Sequence, residues 1–123
     1  MLSPKPNPSD AFRDADPALR PLVETLHARL VDTALDLPAT KSALIALLEF
    51  LSSPVGRTDV NCQAVDSFFF FDEAWLSDRI PEAYHDVIAQ MDCLHDTFTA
   101  PHIAENFGST PEQLLARARS LHI

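Results

Sequence analysis

The sequence predicts an all-α protein: a single-domain bundle of five to six helices over residues 17–123, preceded by a flexible, Pro-rich N-terminal tail over residues 1–16. Three observations carry this prediction. Apolar residues recur at spacings of three and four along three long stretches, and prolines with capping residues punctuate the chain between them. Only two glycines occur, too few for the many tight turns of a barrel or sandwich. A chain of 123 residues, 46% apolar and 22% charged, is long enough for one core and too short for two.

The elements follow in order. In the tail, Pro4, Pro6 and Pro8 alternate among polar residues, and Phe12 is the only large apolar residue after Leu2, so little apolar area offsets the entropy of ordering. Leu19, Val23, Leu26, Leu30, Thr33 and Leu37 then form one stripe with Leu22 beside it. Asp16 and Pro17 supply a cap and a first-turn proline, and Pro21 delays the regular start. Pro38 and Thr40 punctuate. From Ala43 to Leu51, Leu44, Leu47, Leu48 and Leu51 share a face flanked by Ile45 and Phe50, a surface wide enough for a central helix. Ser52-Ser53-Pro54 and Gly56 end it. Thr58 caps a third helix carrying Cys62, Val65, Phe68 and Phe69. The run Phe68 to Phe71 suits the core or an interface, and with no strand-like partner nearby it is read as helix.

Ile80-Pro81-Glu82 opens the next element, read as one long helix with Tyr84, Val87, Ile88, Met91, Leu94, His95 and Phe98 on its apolar stripe. Thr99-Ala100-Pro101 breaks it, and Ile103 to Phe107 makes a short helix ending at Gly108. In the last helix Thr110, Pro111 and Gln113 form a capping-box pattern ahead of Leu114, Leu115, Ala118 and Leu121, with Arg117 and Arg119 near the C-terminal end of the helix dipole.

Eighteen carboxylates against nine Lys and Arg give a net charge of −9, which repels phosphate backbones and anionic lipid, so neither nucleic acid nor membrane is an expected partner. No apolar stretch approaches the roughly 20 residues of a membrane span, and no secretory leader is recognised, so the expected location is cytoplasmic. In such a compartment Cys62 and Cys93 are expected as thiols, Cys62 a small buried hydrophobe and Cys93 at the surface. Two glycines cannot build phosphate-binding or dinucleotide-binding loops.

Metal chemistry has partial signals. His85-Asp86 and His95-Asp96 resemble the His-Asp pairs of HD-class phosphohydrolases, with His27 as a first histidine, but no aspartate follows Asp96 to complete the set. Asp92-x-x-His95 approximates one of the two Glu-x-x-His units of a di-metal bundle, with His85 on the same flank. A metal-dependent hydrolase or metal-binding bundle using His85, Asp92 and His95 is therefore the alternative expectation. The plainer reading makes His95 a buried histidine satisfied by a carboxylate such as Asp92, and no cofactor is then required.

The charge is unevenly placed. Residues 59–105 hold ten carboxylates and one base, Arg79, a net of −9, and the remainder balances eight acids with eight bases. A solvated acidic face is one reading. The sharper one is a surface for a basic partner, with aromatic anchors among the acids. The leading expectation is thus a non-enzymatic, acidic protein-binding module of the inhibitor, immunity or adaptor type, engaging its partner through Asp66, Asp72, Glu73, Trp75, Asp78, Glu82 and Asp86.

Overall fold

In the computed structural model the described residues are 12–32, 34–71 and 80–121, with the side chains of residues 69–71 and 92 outside the description. Every element among them is helical: α1 Leu19–Val31, α2 Leu37–Ser52, α3 Asp59–Phe71, α4 Glu82–Gln90, a 3₁₀ turn Met91–Cys93, the single-turn α5 Asp96–Thr99, α6 Pro101–Phe107 and α7 Pro111–Arg119. Six of these run seven residues or longer, and together they form the all-α bundle expected from the sequence.

Helix α2 is central and packs against both α1 and α7, while α4 also meets α7 and α3 lies against the 3₁₀ turn. Its position follows from composition. Leu44, Leu47, Leu48 and Leu51 are all fully buried, and Ile45 and Phe50 pack at the edge of the core. From α1 come Leu19, Val23, Leu26 and Leu30, from α4 Tyr84, Val87 and Ile88, and from α7 Leu114, Leu115 and Ala118. Truncating one of the α2 leucines to alanine removes methylenes that nothing can replace, a loss of ~2–5 kcal/mol.

The first stripe does not run unbroken to Leu37. Helix α1 stops at Val31, and Asp32 takes an extended conformation while its Oδ1 accepts the Ala34 N–H at 2.9 Å. Leu35 sits in the connection with φ of 40°, a left-handed conformation costly for a branched side chain. Leu37 belongs to the next helix. Asp36 Oδ1 accepts the Ala39 N–H at 3.1 Å, Pro38 occupies the first turn, and the buried Thr40 hydroxyl donates to Asp36 O at 2.7 Å. The Pro-Ala-Thr segment read as punctuation is therefore the first turn of α2.

Within the expected tail, residues 1–11 lie outside the described residues, and Phe12 is buried with its ring 5.7 Å from that of Phe68. The Phe68 ring also meets the His27 imidazole in a T-shaped arrangement, centroid to centroid 5.4 Å, so α1, α3 and the N-terminal segment meet on one side chain. The phenylalanine run is helical as read, since α3 extends to Phe71, and Thr58 starts it: Thr58 Oγ1 accepts the Asn61 N–H at 3.2 Å.

The stripe from Tyr84 to Phe98 is not one helix. Helix α4 ends at Gln90, tightens into the 3₁₀ turn and resumes as α5. Met91 and Leu94 remain fully buried because 3₁₀ winding preserves the i, i+3 relation, but Phe98 emerges partly exposed. The last two elements match their sequence signals. Gly108 adopts φ of 69° after α6, and the Thr110–Gln113 capping box is formed in both directions.

Candidate functional site

The acidic segment 59–105 becomes α3 to α6, and several of its carboxylates stand where helices begin. Asp59, Glu82 and Asp96 lie in the first turns of α3, α4 and α5, positions the helix dipole favours for negative charge. Their placement thus has a local cause as well as a surface consequence. Asp59, Glu82, Asp86 and Glu105 are exposed, and Asp66 and Asp96 are half-buried. Three arginine–glutamate pairs, Arg20–Glu24 at 2.8 Å, Arg57–Glu112 at 2.8 Å and Arg119–Glu49 at 3.6 Å, use residues outside the segment. The neutral remainder thus pairs charges within itself.

Of the expected partner-binding residues, Asp72, Glu73, Trp75 and Asp78 lie outside the described residues. Glu82 and Asp86 stand one turn apart on α4, like charges facing solvent. Asp86 also lines an open groove of about 430 Å³ between α4 and α7, with Ala83, Val87, Ala116, Arg117, Ser120 and Leu121. Asp66 is on α3 and does not line it.

His95 departs from expectation. Read as buried on the apolar stripe beside Asp92, its side chain is 28% exposed, and Nε2 lies 2.7 Å from Asp59 Oδ1 on α3. The cause is the 3₁₀ turn, which breaks the helix before His95 and carries the ring toward the start of α3. The Asp92 side chain lies outside the description. Among the described residues no three His, Cys, Asp or Glu side chains gather into a group that could hold a metal ion.

The cysteines are thiols. Cys62 is fully buried on α3, and that burial pushes its thiol up to about 12. Arg57 opposes the shift, and Glu112, Asp59 and Asp66 add to it. Burial likewise raises the Tyr84 phenol. Both shifts oppose ionisation, the reverse of what a nucleophile or general base at neutral pH requires. Cys93 is half-buried at the edge of a second groove.

That second groove was not legible as a site from the sequence. It encloses about 240 Å³ between the 3₁₀ turn and α6, and its walls are Gln90, Cys93, Asp96, Ile103, Ala104, Phe107 and Ser109. Ala104 is buried, whereas Ile103 is 51% exposed and Phe107 69%. The available signal was the Ile103/Phe107 pair at i, i+4 on a helix of seven residues whose inward contact is already made by Ala104. A large apolar pair presented to water calls for a reason beyond the fold.

No helix among the described residues is long and apolar enough to cross a membrane. No protein-family model, curated protein or solved structure matches this chain.

Proposed function

We propose that this protein is a non-enzymatic binding module whose partner is a basic protein, engaged through the acidic segment 59–105. The observation that carries the reading is charge segregation: the whole net charge of −9 falls in that segment, on α3 to α6 and the stretch between α3 and α4. Among the described residues four of its carboxylates face solvent, and Phe98 and Ile103 within it and Phe107 just after it are exposed. Apolar anchors surrounded by one sign of charge are what a steered, desolvating interface uses. Both cysteines stand as thiols, which fits a reducing, cytoplasmic setting.

The test is affinity capture from the native host, followed by binding of the purified partner across a salt series. The expected partner is basic, and its association slows and weakens as the Debye length falls from ~10 Å at 0.1 M to ~3 Å at 1 M salt. An acidic or neutral partner, or affinity independent of salt, overturns the reading.

A further inference from the structure

We infer that the groove between the Met91–Cys93 turn and α6 is where the basic partner docks, and that its occupant is a short amphipathic helix presenting one apolar anchor flanked by lysine or arginine. This rests on the reading of the protein as an acidic binding module and gives that reading a place and a ligand class.

Size comes first. At about 240 Å³ the groove falls below the ~300–1,000 Å³ of typical small-molecule pockets, but it admits one large side chain between Ile103 and Phe107. The two residues stand one turn apart on α6 and have the exposure that a docking partner would remove. Burying an aromatic or aliphatic anchor against such a pair is the ordinary source of an interface hot spot.

The site is also preformed. Ser109 Oγ donates to Gln90 Oε1 at 2.6 Å and fixes one wall, and Gln113 Nε2 donates to Glu105 O at 3.0 Å, tying α6 to the cap of α7. Gly108 in its left-handed conformation holds the corner between them. A wall already ordered lowers the entropy lost on binding.

Charge then selects the occupant. Asp96 is the charged residue in the lining, Glu105 is exposed on the same helix as the anchors, and among the described residues no Lys or Arg lines the groove. Arg117 stands beyond the Gly108 corner, its Nη1 4.0 Å from where a Cβ on Gly108 would sit. The groove between α4 and α7 is lined by both Asp86 and Arg117 and so favours neither sign. A second copy of this chain would bring its own −9 and is disfavoured by self-repulsion. Ile103 and Phe107 stand one turn apart along α6, so the occupant whose side-chain spacing matches them is a second helix laid against α6.

Two fluorescent helical peptides of equal length and equal lysine content test this, one with leucines along a single face and one with serines in their place. The expected result is that the leucine peptide binds about tenfold tighter or more, protects Cys93 from alkylation, and loses that advantage with Phe107→Ser or Ile103→Ser. Both positions are exposed, so unchanged circular dichroism and melting of the variants confirm that the fold is retained. Equal, salt-sensitive binding of both peptides, indifferent to Phe107→Ser, sinks the groove while leaving the acidic-module reading standing. No binding of either peptide at low salt sinks both. Tight leucine-peptide binding with Cys93 alkylated at its free rate places the peptide elsewhere, and Phe107-dependent self-association in sedimentation replaces the proposed occupant with a second copy.

Discussion

The side-chain oxygen of Asn61 accepts the backbone N–H of Asp16 at 2.9 Å, across 45 positions of chain. The same amide donates through Nδ2 to Gly56 O at 3.0 Å, and Asn61 is 2% exposed. One buried side chain thus joins the segment just before α1, the α2–α3 turn and the first turn of α3. Asn61→Ala leaves a buried N–H and carbonyl without their partners, and the expected loss is ~2–4 kcal/mol by urea denaturation. Asn61→Asp keeps the acceptor but sets a buried carboxylate oxygen against Gly56 O, so at neutral pH its loss should equal or exceed that of alanine and shrink as the pH is lowered.

The two glycines should respond differently to alanine. A Cβ on Gly56 would lie 2.0 Å from Phe50 O and 2.7 Å from Phe50 C, backbone atoms that cannot rotate away, so Gly56→Ala should cost on the order of 3 kcal/mol. At Gly108 a Cβ would meet only Arg117 Nη1 at 4.0 Å, an ordinary contact, so the φ of 69° is what opposes a side chain. Gly108→Ala should therefore cost ~1 kcal/mol, and Gly108→Asn less, in the same denaturation assay.

Cys62 makes stability fall with alkali. Its thiol is raised from about 9 to about 12 by burial, so the native state holds the proton more tightly than the unfolded chain does. That contribution is fully present below about pH 9 and is lost as the pH climbs toward 12, a difference on the order of 4 kcal/mol. Urea midpoints of wild type should fall more steeply between about pH 8 and about pH 11 than those of Cys62→Ala. Equal slopes would show that the thiol is not held protonated by the fold. In native protein at about pH 8, iodoacetamide should modify Cys93 well before Cys62.

The His95–Asp59 pair is short and only partly buried, with 28% and 57% of the two side chains exposed. A pair open to water on the Asp59 side contributes ~0–1 kcal/mol. His95→Ala is expected to cost under about 1 kcal/mol, less than a buried and uniquely partnered histidine would. A double-mutant cycle of His95→Gln with Asp59→Asn should give a coupling energy below about 1 kcal/mol. A larger value would mean that the pair organises the break between α4 and α5.

Lys41 reaches the far end of the chain: its Nζ donates to Leu121 O at 2.6 Å, and Leu121 itself is buried. Lys41→Met keeps the aliphatic stem and removes the donor. The expected loss is ~1–2 kcal/mol, with faster hydrogen exchange in the last turn of α7 as its local signature.

What the sequence made legible were relations between near neighbours. The Thr110–Gln113 capping box and the Gly108 terminus span three or four residues and were readable, as was the leucine face of α2. The break after Gln90 was not, because a 3₁₀ turn leaves Met91 and Leu94 on the inward side and the apolar pattern passes through it unchanged. Leu37 misled for a similar reason: it continues the spacing of α1 although a left-handed Leu35 lies between. The pairing of His95 with Asp59 and of Asn61 with Asp16 depends on elements 36 and 45 positions apart, and no local spacing encodes them. At the groove, Ile103 and Phe107 read as ordinary helix residues because the pattern does not show that Ala104 alone makes the inward contact.

The sandwiching of α2 has a consequence for how the chain is made. One of its covers, α1, leaves the ribosome just before it, but the other, α7, follows only after residues 53–110 have been synthesised. During that interval part of the leucine surface has nothing to lie against, and a chain halted before Pro111 keeps it bare. Such nascent or interrupted chains present a sticky helix to one another and to chaperones, so the yield of folded protein depends on how quickly translation reaches the last helix as well as on the stability of the finished bundle.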